Sequence, residues 1–150
     1  MDLCRFCQVT VDNGFEILWE DSEFIAFEDR DPAAEHHIQV VPKHHIDNVR
    51  VLTKNETGLV QSMATIGDRL LDSLGVIPED RIMGFHIPPF NTVNHLHLHV
   101  QAPPYKGDRG KKYRVARGFG PFIKGFSWFI TAEQAIRTLE RGSSIGIIPW

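Results

Sequence analysis

"NHLHLHVQA", Asn94 to Ala102, puts a histidine at every second position from 95 to 99, with an apolar residue after each one. Side chains alternate faces along a strand, so His95, His97 and His99 point one way while Leu96, Leu98 and Val100 point the other. On a helix the same spacing would scatter the imidazoles around the cylinder. The stretch therefore reads as a strand, its apolar face on a core and its histidines lining the opposite, more open face.

The surrounding sequence supplies the rest of a sheet. "FEILWE" (Phe15–Glu20) and "EFIAFED" (Glu23–Asp29) are separated by two residues and read as a hairpin. "HIQVVPK" (His37–Lys43) follows, with Pro42 marking its end, and "RIMGFHI" (Arg81–Ile87) precedes the histidine run. "SWFI" (Ser127–Ile130) adds a candidate edge strand. Between the strands, Leu59, Val60, Met63, Ile66, Leu70, Leu71 and Leu74 recur at helical spacing in a segment that closes at Gly75. "TAEQAIRTLERG" reads as a C-terminal helix, with Thr131 and Gln134 forming a capping box. No internal repeat or linker interrupts the chain. The expectation is one α+β domain over residues 1–150, with an antiparallel sheet of about five strands, a long helix and a C-terminal helix.

Composition narrows the function classes. With 150 residues, 42% apolar and 23% charged, the chain can bury a substantial core. Its net charge of -3 argues against a general affinity for nucleic acid, and no apolar run approaches the roughly 20 residues of a membrane-spanning helix. The first residues carry no basic region followed by an apolar stretch, so a cytoplasmic or nuclear location is expected. Eight histidines exceed what packing needs. Three readings of the clustered three stand open: a solvated strand face, a catalytic metal site, or an imidazole nucleophile with its neighbours binding phosphate.

"HLHLHVQ" resembles the His-x-His-x-His motif of the histidine-triad nucleotide hydrolases and transferases. "FEDRDPAAEHHIQVVPKHHI" (Phe27–Ile46) is similar to that family's upstream segment: an acidic residue after the second strand, then Pro, then His, then a strand ending in Pro-Lys and His. "GFHIPPFNTVNHLHLHV" looks closest to the third branch of the histidine-triad nucleotide-binding proteins, and also resembles the aprataxin-like deadenylases.

That resemblance implies a hydrolase of adenosine 5'-monophosphoramidates, of the AMP-NH2 and AMP-lysine type, working without a catalytic metal. It implies His97 as the nucleophile that becomes nucleotidylated, His95 as the residue whose carbonyl orients it, and His99 on the phosphate. It places His37 near the phosphate or leaving group. Asp29 would hold the ribose hydroxyls, Phe27 and Arg30 would line the base pocket, Thr92 would supply a hydroxyl to the phosphate, and Asn91 beside it would belong to the nucleotide site. A structural zinc on Cys4, Cys7, His45 and His95 is also implied, as is a two-fold homodimer. The alternative substrates are adenylated nucleic acid and dinucleoside polyphosphates. "GDRGKKYRVARG" (Gly107–Gly118), with five basic residues against one acidic, reads either as a solvated loop or as a contact for a longer substrate. His86 reads either as a site residue or as core.

Overall fold

A computed structural model describes residues 4–148. It contains six strands, β1 (Ile17–Glu20), β2 (Phe24–Glu28), β3 (Ala34–Pro42), β4 (Ile82–His86), β5 (Leu98–Tyr105) and β6 (Phe129–Thr131). They form one antiparallel sheet in the order β1-β2-β3-β5-β4-β6. The expected five strands become six because the short edge strand β6 pairs with β4. No helix among the described residues is long and apolar enough to cross a membrane.

Both helices lie on one face of this sheet. Helix α1 (Thr57–Ser73) buries Val60, Met63, Ile66 and Leu71 in one cluster with Ile38 and Val40 of β3 and Leu98 and Val100 of β5. Helix α2 (Ala132–Glu140) adds Ala135 and Leu139 to that cluster, and its start carries the expected capping box of Thr131 and Gln134. Gly67 sets the closeness of α1 to the sheet: a Cβ there would lie 2.8 Å from Met83 Sδ and 2.9 Å from Val100 Cγ2. Gly75, at φ +75°, turns the chain after α1.

The alternation of β2 separates two cores. Phe24 and Ala26 join the helix-side cluster, while Ile25 and Phe27 join a second one with Phe6, Phe15 and Val41. Every residue from Phe24 to Phe27 is buried for that reason. The N-terminal segment thus covers the face that the histidines share. At the C-terminal end, Ile145 and Ile147 pack on the helix-side core, and the Ile147 carbonyl accepts from the buried Lys124 ammonium at 2.9 Å. Trp150 lies outside the described residues.

Two sequence expectations change here. The β5 ladder begins at Leu98 and runs to Tyr105, so His95 and His97 sit in its lead-in, where the Leu96 amide donates to the Ile46 carbonyl at 2.7 Å. The histidine face is also not open. His95, His97 and His99 are all buried, because Phe6 and Tyr113 pack edge-on against their rings.

Candidate active site

His97 is held by its own chain. Its Nδ1 lies 2.7 Å from the His95 carbonyl, which can only accept, so Nδ1 carries the hydrogen and Nε2 keeps its lone pair. Burial pushes its pKa down to about 4, so the ring is neutral at pH 7. A neutral imidazole with a fixed tautomer and a lone pair at Nε2 is a competent nucleophile.

A second chain of contacts fixes His99. The Ala33 amide donates to His37 Nδ1 at 2.9 Å, which leaves the hydrogen of the neutral His37 ring on Nε2. That Nε2–H donates to His99 Nδ1 at 2.9 Å. His99 therefore carries its hydrogen on Nε2, which is buried and has no partner among the described residues. Burial holds both rings below their ordinary pKa, against the opposing pull of Asp29 on His37. The outcome is an N–H donor aimed from β5 with its proton position set by a backbone amide two residues deep.

His37 itself, adjacent to Gln101 across the β3–β5 ladder, is fully buried one layer behind His99. Expected near the phosphate or leaving group, it lies behind the candidate phosphate donor, its Nε2 2.9 Å from His99 Nδ1, 3.1 Å from the Gln101 side-chain amide and 3.4 Å from Asp29. Asp29, His37 and His99 bring their ligand atoms within 4.8 Å of one another, which raises the metal reading again. A metal there would need the His37 Nε2 lone pair, and the Ala33 amide already claims the other nitrogen.

A cleft of about 410 Å³ is lined by Asp29, Gln39, His86, His99, Lys112, Tyr113 and Trp128; His97, whose ring meets that of His99, is not among its lining residues. The Asp29 carboxylate accepts from the Asp31 amide at 2.8 Å and from the Gln39 side chain. Thr92 lies exposed on the rim of this cleft, and Asn91 sits beside His97 with its amide on the Val93 carbonyl. His86 belongs to the site: its Nε2–H donates to the Lys112 carbonyl at 2.7 Å, and its ring meets His99 and Tyr113. Phe27 and Arg30, expected to line the base pocket, are not among the residues lining this cleft. Phe27 is buried among Phe6 and Phe15, and Arg30 turns over the Phe15 ring to donate to the Asn13 carbonyl.

The basic segment is anchored rather than free. Arg109 reaches Asp31 at 2.6 Å, the Lys106 amide donates to the Ala33 carbonyl at 2.8 Å, and His86 holds Lys112. Tyr113 is thereby pressed against His37, His86, His99 and Phe129. Tyr113, Gln39, Phe90 and Trp128 are cleft residues that the sequence reading missed. For Gln39 a signal existed, since it lies two residues from His37 on the same strand face.

On the far side of His95 lies a four-residue cluster. Cys4, Cys7, His45 and His95 bring one ligand atom each within 4.8 Å of all the others. His95 Nδ1 is 3.3 Å from Cys4 Sγ and 3.4 Å from Cys7 Sγ, and His45 Nδ1 is 3.4 Å from Cys7 Sγ. Ligands of a tetrahedral zinc at ordinary Zn–S and Zn–N lengths stand about 3.5 Å apart. Each ring also anchors its Nε2–H, His95 on the Pro42 carbonyl and His45 on Asp47, both at 2.8 Å. This leaves both Nδ1 lone pairs facing the thiols, the arrangement that supports metal-binding imidazoles. The four residues fit a closed zinc site.

The family model described as scavenger mRNA decapping enzyme C-term binding matches residues 4–114. The chain is 36% identical over 140 residues to adenosine 5'-monophosphoramidase HINT3 of Xenopus tropicalis, covering 91% of this chain and 87% of that protein. It is 38% identical over 125 residues to the bifunctional adenosine 5'-phosphosulfate phosphorylase/adenylylsulfatase HINT4 of Arabidopsis thaliana, covering 81% and 85%. Among solved structures, the HIT family hydrolase from Clostridium thermocellum superposes with a TM-score of 0.62 at 25% identity, covering 71% of this chain and 96% of that one.

Proposed function

This chain belongs to the histidine-triad superfamily, and from that premise we propose that it hydrolyses adenosine 5'-monophosphoramidates through a nucleotidyl intermediate on His97. The observation that carries the reading is the fixed tautomer of His97: Nδ1–H on the His95 carbonyl and a lone pair at Nε2 beside the His99 donor. The name of the Xenopus relative supports the substrate class.

In the proposed reaction Nε2 of His97 attacks the α-phosphorus and the P–N bond to the leaving amine breaks. The departing nitrogen takes a proton from water in the cleft. A second water then attacks phosphorus, the bond to Nε2 breaks, and the proton this water sheds neutralises the hydroxide left by the first step as AMP forms. Through both steps His97 keeps its Nδ1–H on the His95 carbonyl, which offsets the positive charge on the nucleotidylated ring. His99 Nε2–H donates to a phosphate oxygen, and Asp29 accepts from the ribose.

We also propose that Cys4, Cys7, His45 and His95 hold zinc as a structural ion, supplying rigidity and no step of the chemistry, and that two copies pair as a homodimer. A reading in which adenylated nucleic acid is the substrate is favoured by Lys112 on the cleft wall, next to the exposed Lys111.

A substrate panel tests the proposal. kcat/KM is compared for AMP-NH2, an AMP-lysine phosphoramidate, diadenosine polyphosphate and adenylated DNA, with His97→Ala as the blank. The phosphoramidates should lead, and His97→Ala should lose roughly a thousandfold or more. Faster turnover of the polyphosphate or the DNA would reassign the substrate. Full activity in His97→Ala would refute the mechanism.

A further inference from the structure

We infer that Gln39 is a second ribose-binding residue, its Oε1 accepting from one ribose hydroxyl of the bound nucleotide while its Nε2 holds Asp29. The inference rests on the nucleotide reading of the cleft and adds a contact to it.

Gln39 lies on β3, opposite His99 across the β3–β5 ladder, and its side chain is buried. Its Nε2 donates to Asp29 Oδ2 at 2.5 Å. The orientation of the amide follows from chemistry: a carboxylate only accepts, so the NH2 end must face Asp29 and the oxygen must face away. That Oε1 is buried and has no hydrogen-bond partner. A buried carbonyl oxygen without a donor is costly and rare in native proteins.

Among the described residues only two buried side-chain polar atoms lack a partner, Gln39 Oε1 and His99 Nε2. Both residues line the same cleft, and the atoms have opposite hydrogen-bond sense. A nucleoside monophosphate offers the matching set, since its phosphate oxygens accept and its ribose hydroxyls donate. Each Asp29 oxygen already accepts one protein N–H, Oδ1 from Asp31 and Oδ2 from Gln39. A ribose diol presents two donors, and Asp29 with Gln39 gives each one its own acceptor. The site then selects ribose over deoxyribose, because a missing hydroxyl leaves Oε1 buried and unpaired.

The test measures kcat/KM for adenosine 5'-phosphoramidate and its 2'-deoxy and 3'-deoxy analogues, in the unmodified protein, Gln39→Leu and Gln39→Met. In the unmodified protein, losing the hydroxyl that reaches Gln39 should cost roughly 10- to 100-fold. In both variants that penalty should shrink to about threefold or less, while the penalty for the other hydroxyl persists. If Gln39 only positions Asp29, which itself holds the ribose, the penalties for the two hydroxyls shrink together, which overturns the inference. Calorimetry of AMP against 2'-deoxy-AMP and 3'-deoxy-AMP on the unmodified protein covers the case in which the variants fail to fold. Equal affinity for all three overturns the contact. Discrimination among them, with no turnover of any phosphoramidate, would sustain the contact and sink the enzymatic reading instead.

Discussion

The carbonyl of His95 accepts the Nδ1–H of His97 at 2.7 Å, and the imidazole of the same His95 faces Cys4 and Cys7. One residue thus joins the candidate zinc cluster to the candidate nucleophile. Its third contact, Nε2–H on the Pro42 carbonyl, fixes it to the end of β3.

Zinc removal should therefore act on stability first and on rate second. Elemental analysis of protein purified without added metal should find about one zinc per chain. Chelation, or Cys7→Ala, should lower Tm by roughly 10 °C, given the folding energy of a structural zinc. Turnover below the lowered Tm should persist at a reduced level, since His97 does not touch the ion. Chelation that abolishes turnover and leaves Tm unmoved would make the metal catalytic.

His37 should matter chiefly through its hydrogen bond to His99. His37→Leu removes the donor to His99 Nδ1 and frees that ring to place its hydrogen on either nitrogen. The expected loss in kcat/KM is about 10- to 100-fold, and His37→Gln, which can still donate, should recover part of it. Equal losses in the two variants would show that shape, and not the hydrogen bond, is what His37 contributes.

The pH dependence follows from burial. His37, His86, His97 and His99 all have folded pKa values held down by desolvation, His97 at about 4. In the unfolded chain these rings take up protons near pH 6.5, about the ordinary histidine value. The unfolded state thus binds more protons in this range, so stability is full above about 6.5 and falls as the pH drops toward about 4. Calorimetric Tm should decline steadily across that window, while kcat/KM shows no acid limb near 6.5 wherever the protein stays folded. A flat Tm profile, or an activity midpoint at 6.5, would contradict the burial of neutral rings.

Much of this was legible in the sequence because it is periodic. The alternation through Leu98 and Val100 gives β5 its helix-facing side, and the spacing of Val60, Met63 and Ile66 gives α1 its buried stripe. Cys4, Cys7, His45 and His95 were named from the family resemblance, and the fold brings them together. The covering of the histidine face was not legible. It depends on Phe6 and Tyr113, which arrive from segments without periodicity and are anchored by distant pairs such as Arg109 with Asp31. The same covering decides where Phe27 and Arg30 lie. The N-terminal segment brings Phe15 and Asn13 to them, and these claim the ring and the guanidinium.

Tyr113 and Arg109 separate packing from anchoring. Tyr113→Ala removes a ring packed on His37, His86, His99 and Phe129 and should cost about 3 kcal/mol, read from denaturant unfolding. Arg109→Ala breaks an exposed, solvent-screened ion pair and should change stability far less. A loss in Arg109→Ala as large as that in Tyr113→Ala would mean the pair, not the ring, holds the 106–113 segment.

The most direct measurement is intact-protein mass spectrometry after rapid quenching of a turnover mixture into alkaline denaturant, where a phosphoimidazole survives. Protein carrying one adenylyl group is expected, mapped to the peptide that contains His97 and absent from His97→Ala. An adenylyl group on another residue, or turnover with none trapped at any time, would contradict it.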